Sequence, residues 1–144
     1  MNLSEIIDLM NNYPVMQLAT VNSDNKPCVR SVFIYSADEN GIVFHTGEYK
    51  DLYRQMIANP AVEALFFNQP DQIQVRVAGE AVEIKDLDFT KKIVETPGRE
   101  FLKPIVQKYG YEFIKVFKID KAKAKVWNWE TNMLYPKTVV EFIS

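Results

Sequence analysis

The stretch CVRSVFIYSADENGIVFHT, residues 28–46, decides the fold. A run of strand character covers residues 28–36, and a second run follows over residues 42–46. Between them stands Asp38-Glu39-Asn40-Gly41, in which the Asn-Gly pair is a strong hairpin signal. The two runs are therefore predicted to pair as antiparallel strands.

Further strand-like runs lie on both sides of this hairpin. They cover residues 15–21, 61–68, 73–85, 112–120 and 122–130, and the tail over 135–143 is a candidate for one more. Gly79, inside the run 73–85, predicts a bulge or a bend. Strands follow strands too directly for repeated βαβ units, and no glycine-rich dinucleotide fingerprint is present. A doubly wound α/β fold is therefore disfavoured.

Short helices are predicted between some of these strands. The first has Ser4 as its N-cap and ends before Pro14, because a proline disfavours helix in the residue that precedes it. The second covers residues 51–58, and residues 86–109 hold two more, interrupted by Thr96-Pro97-Gly98. The chain is thus predicted to be mainly β (α+β), a small antiparallel barrel of about six to seven strands with short covering helices. One domain is expected to span residues 1–144.

Composition excludes several classes of function. The net charge of −2 argues against a dedicated nucleic-acid surface. One cysteine and one histidine leave no disulfide within the chain and no zinc site of the usual Cys/His type. No apolar run approaches the roughly 20 residues of a membrane helix, and the N-terminus has no signal-peptide pattern. We expect a cytoplasmic protein with no membrane partner.

Arg30 is the first candidate functional residue. Strand alternation places it on one face with Val32 and Ile34, an otherwise apolar face. A guanidinium there needs an anion, because an unpaired buried charge costs several kcal/mol. That anion could be a ligand or an internal partner such as Glu63 or Glu80, and an arginine at a strand end can also reach water. Alternation alone leaves these possibilities open.

The segment FHTGEYK, residues 44–50, joins a strand to a predicted helix. Backbone donors, the Thr46 hydroxyl and the Lys50 ammonium converge there, an arrangement that suits a phosphate. The spacing is not that of a Walker A loop. The alternative is that Thr46 caps the helix and Lys50 is a solvated surface charge.

His45 is the only histidine, so any Ser-His-Asp or Cys-His scheme must include it. Cys28 lies on the preceding strand, but no nucleophile elbow supports hydrolysis, and a structural histidine is the alternative. Gln74 lies on the polar face of its strand, and Trp127 shares a face with Trp129. These side chains either follow the ordinary outward-polar and core-aromatic patterns or line a pocket for a planar cofactor.

The order of these segments resembles the pyridoxamine 5′-phosphate oxidase-like family of FMN-binding split barrels. The resemblance rests on residues 18–21, 26–32, 43–46, 49–50 and 57–62, which read LATV, KPCVRSV, VFHT, YK and IANPAV. It covers residues 5–85 well, and the strand of Trp127 and Trp129 is similar to a late strand of the family.

The resemblance implies a homodimer with two FMN sites at the subunit interface. Carried over residue by residue, Arg30, Lys50 and Thr46 would hold the phosphate, and the backbone of Ser31 and Val32 would lie along the flavin ring. Gln74 resembles the residue that reaches the ring or the ribityl chain. Trp127 resembles the aromatic that the second subunit brings to the cofactor.

The resemblance also indicates a branch of the family. Residues 129–134, WETNML, lack the basic residues with which true oxidases grip their substrate, so classical pyridoxamine phosphate oxidation is not expected. The short chain and residues 44–46 are more similar to the Nim-type and general stress protein branches, in which the histidine equivalent to His45 lies near flavin and substrate. The expected function is an FMN-dependent oxidoreductase that reduces a small acceptor, for example a nitroaromatic such as nitroimidazole.

Three alternatives to this function stay open. One is a non-catalytic, stress-sensing protein that holds FMN or haem, with His45 as the sole histidine able to serve as an axial ligand. Another is the same fold with a deazaflavin in place of FMN. The last is a barrel without a cofactor that acts through its dimer surface.

Overall fold

The predicted hairpin is formed, as part of an antiparallel sheet, in the computed structural model, which describes residues 1–143. The strands are β1 (Val15–Val21), β2 (Pro27–Asp38), β3 (Gly41–Gly47), β4 (Ala61–Asn68), β5 (Ile73–Glu83), β6 (Ile114–Trp127) and β7 (Val139–Glu141). Strand β2 continues past the predicted end of its run to reach the turn at Asn40-Gly41.

The sheet closes into a barrel. Its strand order is β3-β2-β1-β4-β5-β6-β7, and β3 pairs with β6 as well. Six strands therefore form the barrel wall, while the short β7 lies outside it against β6. This architecture confirms the predicted antiparallel split barrel with short covering helices.

Four α-helices cover the barrel: α1 (Leu3–Asn12), α2 (Asp51–Ala58), α3 (Leu87–Glu95) and α4 (Lys103–Tyr109). The prediction of Ser4 as the first N-cap is wrong. Asn2 holds that position, and its side chain accepts a hydrogen bond from the backbone N–H of Glu5 while the Glu5 carboxylate accepts one from Asn2 N–H. This reciprocal capping box satisfies two otherwise unpaired backbone donors, so the helix begins two residues earlier than predicted, at Leu3.

The two late strands predicted over 112–120 and 122–130 are one continuous strand, β6. Lys121, between the two predicted runs, has a left-handed φ of 50°. The register of β5 against β6 shifts between Ala78 and Glu80, so the irregularity predicted at Gly79 is present, but the extra residue lies on the partner strand: Lys121 and Ala122 of β6 stand opposite Gly79. A bulge of this kind bends a strand without ending it, so β6 continues through Lys121.

Two apolar clusters lie on opposite sides of the barrel wall. The barrel interior holds Phe44, Phe66 and Phe117, all fully buried. A smaller cluster outside the wall packs α3 and the following segment against β6 and is formed by Ile93, Val94, Leu102, Ile114 and Val116. The chain from α3 to α4, residues 87–109, is called the covering segment below. This packing fixes it over β3 and β6, where it forms one side of a cavity.

No helix among the 143 described residues is both long enough and apolar enough to cross a membrane.

Gly79 tests the bulge. A Cβ at this position would lie 2.6 Å from the Asp120 carbonyl oxygen and 2.7 Å from Ile119 Cγ2. We expect Gly79→Ala to lower the free energy of unfolding by about 1–3 kcal/mol, because β6 must shift to admit the methyl group. Urea unfolding measures this, with Ala78→Ser on the exposed face of the same strand as control. Equal stabilities of the two variants would contradict the expectation.

Candidate functional site

A cavity of about 500 Å³ lies where β2 and β3 meet the start of α2 and the covering segment. Its volume is within the range of small-molecule sites. Five of the residues predicted to bind the cofactor line it, together with His45, the residue predicted to be catalytic. The lining comprises Arg30, Ser31, Val32, Phe33, His45, Thr46, Gly47, Tyr49, Lys50, Asp51, Leu52, Arg99, Phe101, Leu102, Ile105 and Ile114.

Arg30 is held by neutral groups. Its Nη1 donates to Thr20 Oγ1 at 2.6 Å, and its Nη2 donates to Gln55 Oε1 at 2.8 Å. Neither of the two carboxylates considered from the sequence is a partner of Arg30, because Glu63 pairs with Arg76 and Glu80 pairs with Lys121. Within the described chain no carboxylate forms an ion pair with Arg30. Its charge is oriented but not neutralised.

Thr46 and Lys50 lie at the end of β3 and the start of α2. The alternative that Thr46 caps the helix is wrong: Lys50 occupies the N-cap position. The Thr46 hydroxyl is buried, and it has no hydrogen-bond partner among residues 1–143. Lys50 is exposed, and none of the described carboxylates pairs with it. Asp51, the one acidic residue of the lining, pairs with Arg54 at 3.6 Å.

His45 lies on β3 opposite Val116 of β6. Its Nε2 is buried without a hydrogen-bond partner in the part of the chain that the structure describes. Burial, followed by the positive charges of Arg99 and Lys50, lowers the pKa of His45 from 6.5 to about 4. The imidazole is therefore neutral at pH 7, and it presents an unused nitrogen beside the cavity.

Ser31 and Val32 lie on a stretch of β2 with one unpaired edge. They pair with Gln17 and Met16 of β1, but the ladder from β2 to β3 begins only at Ile34. The Ser31 hydroxyl donates to Gln17 Oε1 at 2.9 Å, so this side chain is engaged on the sheet surface. What Ser31 and Val32 offer to the cavity is the edge of the strand.

Gln74 and Trp127 do not line this cavity. They stand opposite each other on β5 and β6 and line a separate cavity of about 260 Å³ with Arg76, Lys125, Val126 and Lys137. Trp127 Nε1 donates to Asn132 Oδ1 at 2.8 Å, and its ring meets that of Trp129 edge-on. A single chain therefore does not bring these two residues to Arg30, and their role at a shared site stays a prediction.

Sequence reasoning missed Arg99. This side chain is 7% exposed, and its Nη2 donates to the Ile34 carbonyl oxygen at 2.8 Å. Its guanidinium carbon lies 4.7 Å from the centre of the Phe33 ring and 5.7 Å from that of Tyr35. Burial lowers the pKa of Arg99, while Tyr35 opposes that shift. No sequence pattern marks it, since it stands in a turn after Thr96-Pro97-Gly98 with no periodic neighbours.

The chain matches known proteins over most of its length. Residues 4–127 match the sequence profile of the family described as pyridoxamine 5′-phosphate oxidase. The curated pyridoxine/pyridoxamine 5′-phosphate oxidase of Psychrobacter cryohalolentis is 46% identical over 70 residues, which are 48% of this chain and 32% of that protein. The chain thus matches about a third of the length of this relative.

Solved structures share the fold at low sequence identity. A NimC/NimA family protein from Clostridium acetobutylicum is 19% identical with a TM-score of 0.74, covering 97% of this chain and 93% of that one. A pyridoxamine 5′-phosphate oxidase-related, FMN-binding protein from Nostoc punctiforme is 14% identical with a TM-score of 0.64, covering 95% and 87%. The haem storage protein HutZ from Vibrio cholerae is 14% identical with a TM-score of 0.55, covering 83% and 90%.

The barrel topology, the structural neighbours and above all the profile match over residues 4–127 agree with one another. This chain belongs to the pyridoxamine 5′-phosphate oxidase family.

Proposed function

We propose that the cavity binds FMN, with the phosphate held by Arg30, Lys50 and the Thr46 hydroxyl. One observation carries this assignment: Arg30 is fixed by Thr20 and Gln55 but has no carboxylate partner in residues 1–143. An oriented guanidinium with free charge is suited to a phosphate, with which it forms charge-assisted hydrogen bonds. The exposed ammonium of Lys50 at the start of α2 adds a second positive charge at the same end.

The other lining groups fit the rest of this cofactor. The buried Thr46 hydroxyl lacks a partner among the described residues, so an anion that accepts its proton would satisfy it. The unpaired edge of β2 at Ser31 and Val32 can exchange hydrogen bonds with the polar edge of a flat ring, while Leu52 and Ile105 offer apolar contact. Bound FMN would supply electron transfer, and the protein would supply orientation and electrostatics.

The protein is further proposed to act as a homodimer. Gln74 and Trp127 would then reach the cofactor from the second copy, since their own chain places them in another cavity. Each of the two regions that would meet carries an exposed aromatic ring. Phe67, paired with Gln74, is 39% exposed, and Phe33 on β2 is 52% exposed. Association of two such faces would remove these rings from water.

The proposed activity is the reduction of a small acceptor, for example a nitroaromatic, by electrons from FMN. His45 is the proposed catalytic residue, because the residue lines the cavity and its Nε2 has no partner in the described chain. Its lowered pKa keeps the ring neutral, so Nε2 can exchange a hydrogen bond with a bound acceptor without adding a third charge near Arg99 and Lys50.

A second candidate is a protein that holds haem without turnover. The same His45 atom favours it, since a histidine that ligates haem iron must be a neutral imidazole with a free nitrogen. The two candidates differ in what Arg30 and Lys50 do. A phosphate uses both cations, whereas axial ligation by His45 requires neither.

The cofactor assignment predicts that Arg30→Gln and Lys50→Gln each weaken FMN binding about 10- to 100-fold, the value of one or two charge-assisted hydrogen bonds. Fluorescence titration of the apoprotein with FMN measures the Kd, and urea unfolding checks stability. Lys26→Gln, an exposed cation in the turn before β2, is the matched control. Unchanged FMN affinity in both variants would remove the phosphate assignment.

The dimer predicts a sedimenting mass of two chains and a contribution of Trp127 to FMN binding. Trp127→Ala should weaken FMN binding about tenfold, because an aromatic contact to a planar ring is lost. Tyr109→Ala, an exposed aromatic at the end of α4, serves as control. A monomer at every concentration that binds FMN as tightly as the wild type would contradict this arrangement.

The activity predicts that dithionite-reduced, FMN-loaded protein is reoxidised by 2-nitroimidazole without oxygen. His45→Phe, which keeps a ring but has no nitrogen, should slow this step about 10- to 100-fold, and His45→Gln should retain more of it. Flavin absorbance follows the reaction. Reoxidation at the wild-type rate in His45→Phe would exclude the role of His45. Failure to bind FMN, with a haem spectrum that His45→Phe abolishes, would favour the second candidate.

A further inference from the structure

The cavity is positively charged although the chain is not. Its lining includes Arg30, Lys50 and Arg99 but only one acidic residue, Asp51, which is already paired with Arg54. The whole chain has a net charge of −2. The proposed phosphate accounts for Arg30 and Lys50. It leaves Arg99 without a function.

Arg99 lies too far along β2 to share that phosphate. It is anchored on the Ile34 carbonyl oxygen, and Ile34 is four residues beyond Arg30 on an extended strand. Four residues of strand span about 13 Å. The guanidinium of Arg30 donates to Thr20, which lies opposite Cys28, so it points along β2 away from Ile34 and from the anchor of Arg99. The cavity therefore has two separate positive ends.

The donors of Arg99 are largely unused. A guanidinium has five N–H groups, and among the described residues the guanidinium of Arg99 donates a hydrogen bond only to the Ile34 carbonyl. Lys137 shows what a purely structural cation looks like in this protein, because its ammonium donates to the three carbonyl oxygens of Thr131, Asn132 and Leu134. Arg99 has no comparable set, and the part of it that is accessible lines the cavity.

The surroundings of Arg99 fix its plane. The rings of Phe33 and Tyr35 lie close to the guanidinium carbon, at 4.7 and 5.7 Å from ring centre. Packed aromatic neighbours and one backbone anchor reduce the conformational entropy that a ligand must remove, so the free donors are preorganised. Phe101, Leu102 and Ile105 add an apolar wall beside them.

We propose that Arg99 binds a carboxylate of the electron acceptor, so that the preferred acceptors are small planar aromatic acids. This inference rests on the proposed function and names its substrate class. The fork of a guanidinium matches a carboxylate in geometry. The apolar wall receives the aromatic body. His45, whose ring centre lies 6.1 Å from that of Phe101, stands beside the same space.

The test compares two probes of nearly equal shape, 4-nitrobenzoate and its neutral amide, 4-nitrobenzamide. Calorimetric titration of FMN-loaded wild type should give at least a tenfold lower Kd for the acid. Arg99→Gln should remove this preference while the Kd for the amide and for FMN stays within threefold. Arg99→Lys should keep part of it, because the charge remains and the fork is lost. Lys103→Gln, an exposed cation nearby, should behave as wild type.

A second readout needs no variant. The carboxylate would offset the positive charge that lowers the pKa of His45, so the acid, and not the amide, should raise the NMR titration midpoint of the only histidine. Equal affinity of wild type for the two probes, or an acid preference that survives in Arg99→Gln, would overturn the proposal. If that surviving preference is accompanied by a lower flavin reduction potential in Arg99→Gln, Arg99 serves the cofactor and not the acceptor.

Failure of the proposed function is visible separately. The same titrations on apoprotein report on Arg99 even when FMN does not bind. Loss of FMN binding with the acid preference intact would remove the flavin assignment and keep Arg99 as a carboxylate site. FMN binding without an acid preference would keep the flavin assignment and remove Arg99 as a carboxylate site.

Discussion

Strand β3 pairs with β6 along its whole length, from Ile42 opposite Ile119 to Gly47 opposite Ile114, and this pairing closes the barrel. Because side chains alternate between the two faces of a strand, the closed barrel places the side chains of β3 alternately inside and outside its wall. Phe44 points into the barrel core, while His45 lies on the other face, under the segment that follows α3. Without the closure, that segment would have no β6 surface to pack on, and the cavity would lack one wall.

The hairpin, the bulge and the turn residues were predictable because each depends on neighbours in the sequence. Asn40-Gly41 predicts a hairpin turn, and Gly79 predicts an irregularity of the sheet at its own position. The continuity of β6 was not predictable. Lys121 adopts a left-handed backbone conformation that its own residue type does not announce, and it is one of two β6 residues that stand opposite the single β5 residue Gly79. Long-range pairing, rather than local preference, decides such positions.

The same division applies to the candidate site. Arg30, His45, Thr46 and Lys50 are visible in the sequence because they fall on or beside one hairpin, and the structure brings them to one cavity. Arg99 comes from a distant turn, and only the packing of the covering segment on the barrel brings it to Ile34. Gln74 and Trp127 stand opposite each other on β5 and β6, but they line a different cavity. Sequence order identifies the residues of a strand more reliably than it identifies which strands share a cavity.

Burial of the two cavity arginines costs hydration free energy, and the fold offsets only part of that cost. A partly or fully buried guanidinium without an anion loses hydration, and neutral acceptors such as Thr20, Gln55 or the Ile34 carbonyl replace only part of it. The carboxylates of Glu63 on β4 and Glu80 on β5 pair with surface cations. Substitution of either arginine by a neutral residue would be the simpler route to stability. Two arginines without a carboxylate partner among the described residues line one cavity of a net acidic chain, and this is the reason why negatively charged ligands are proposed for it.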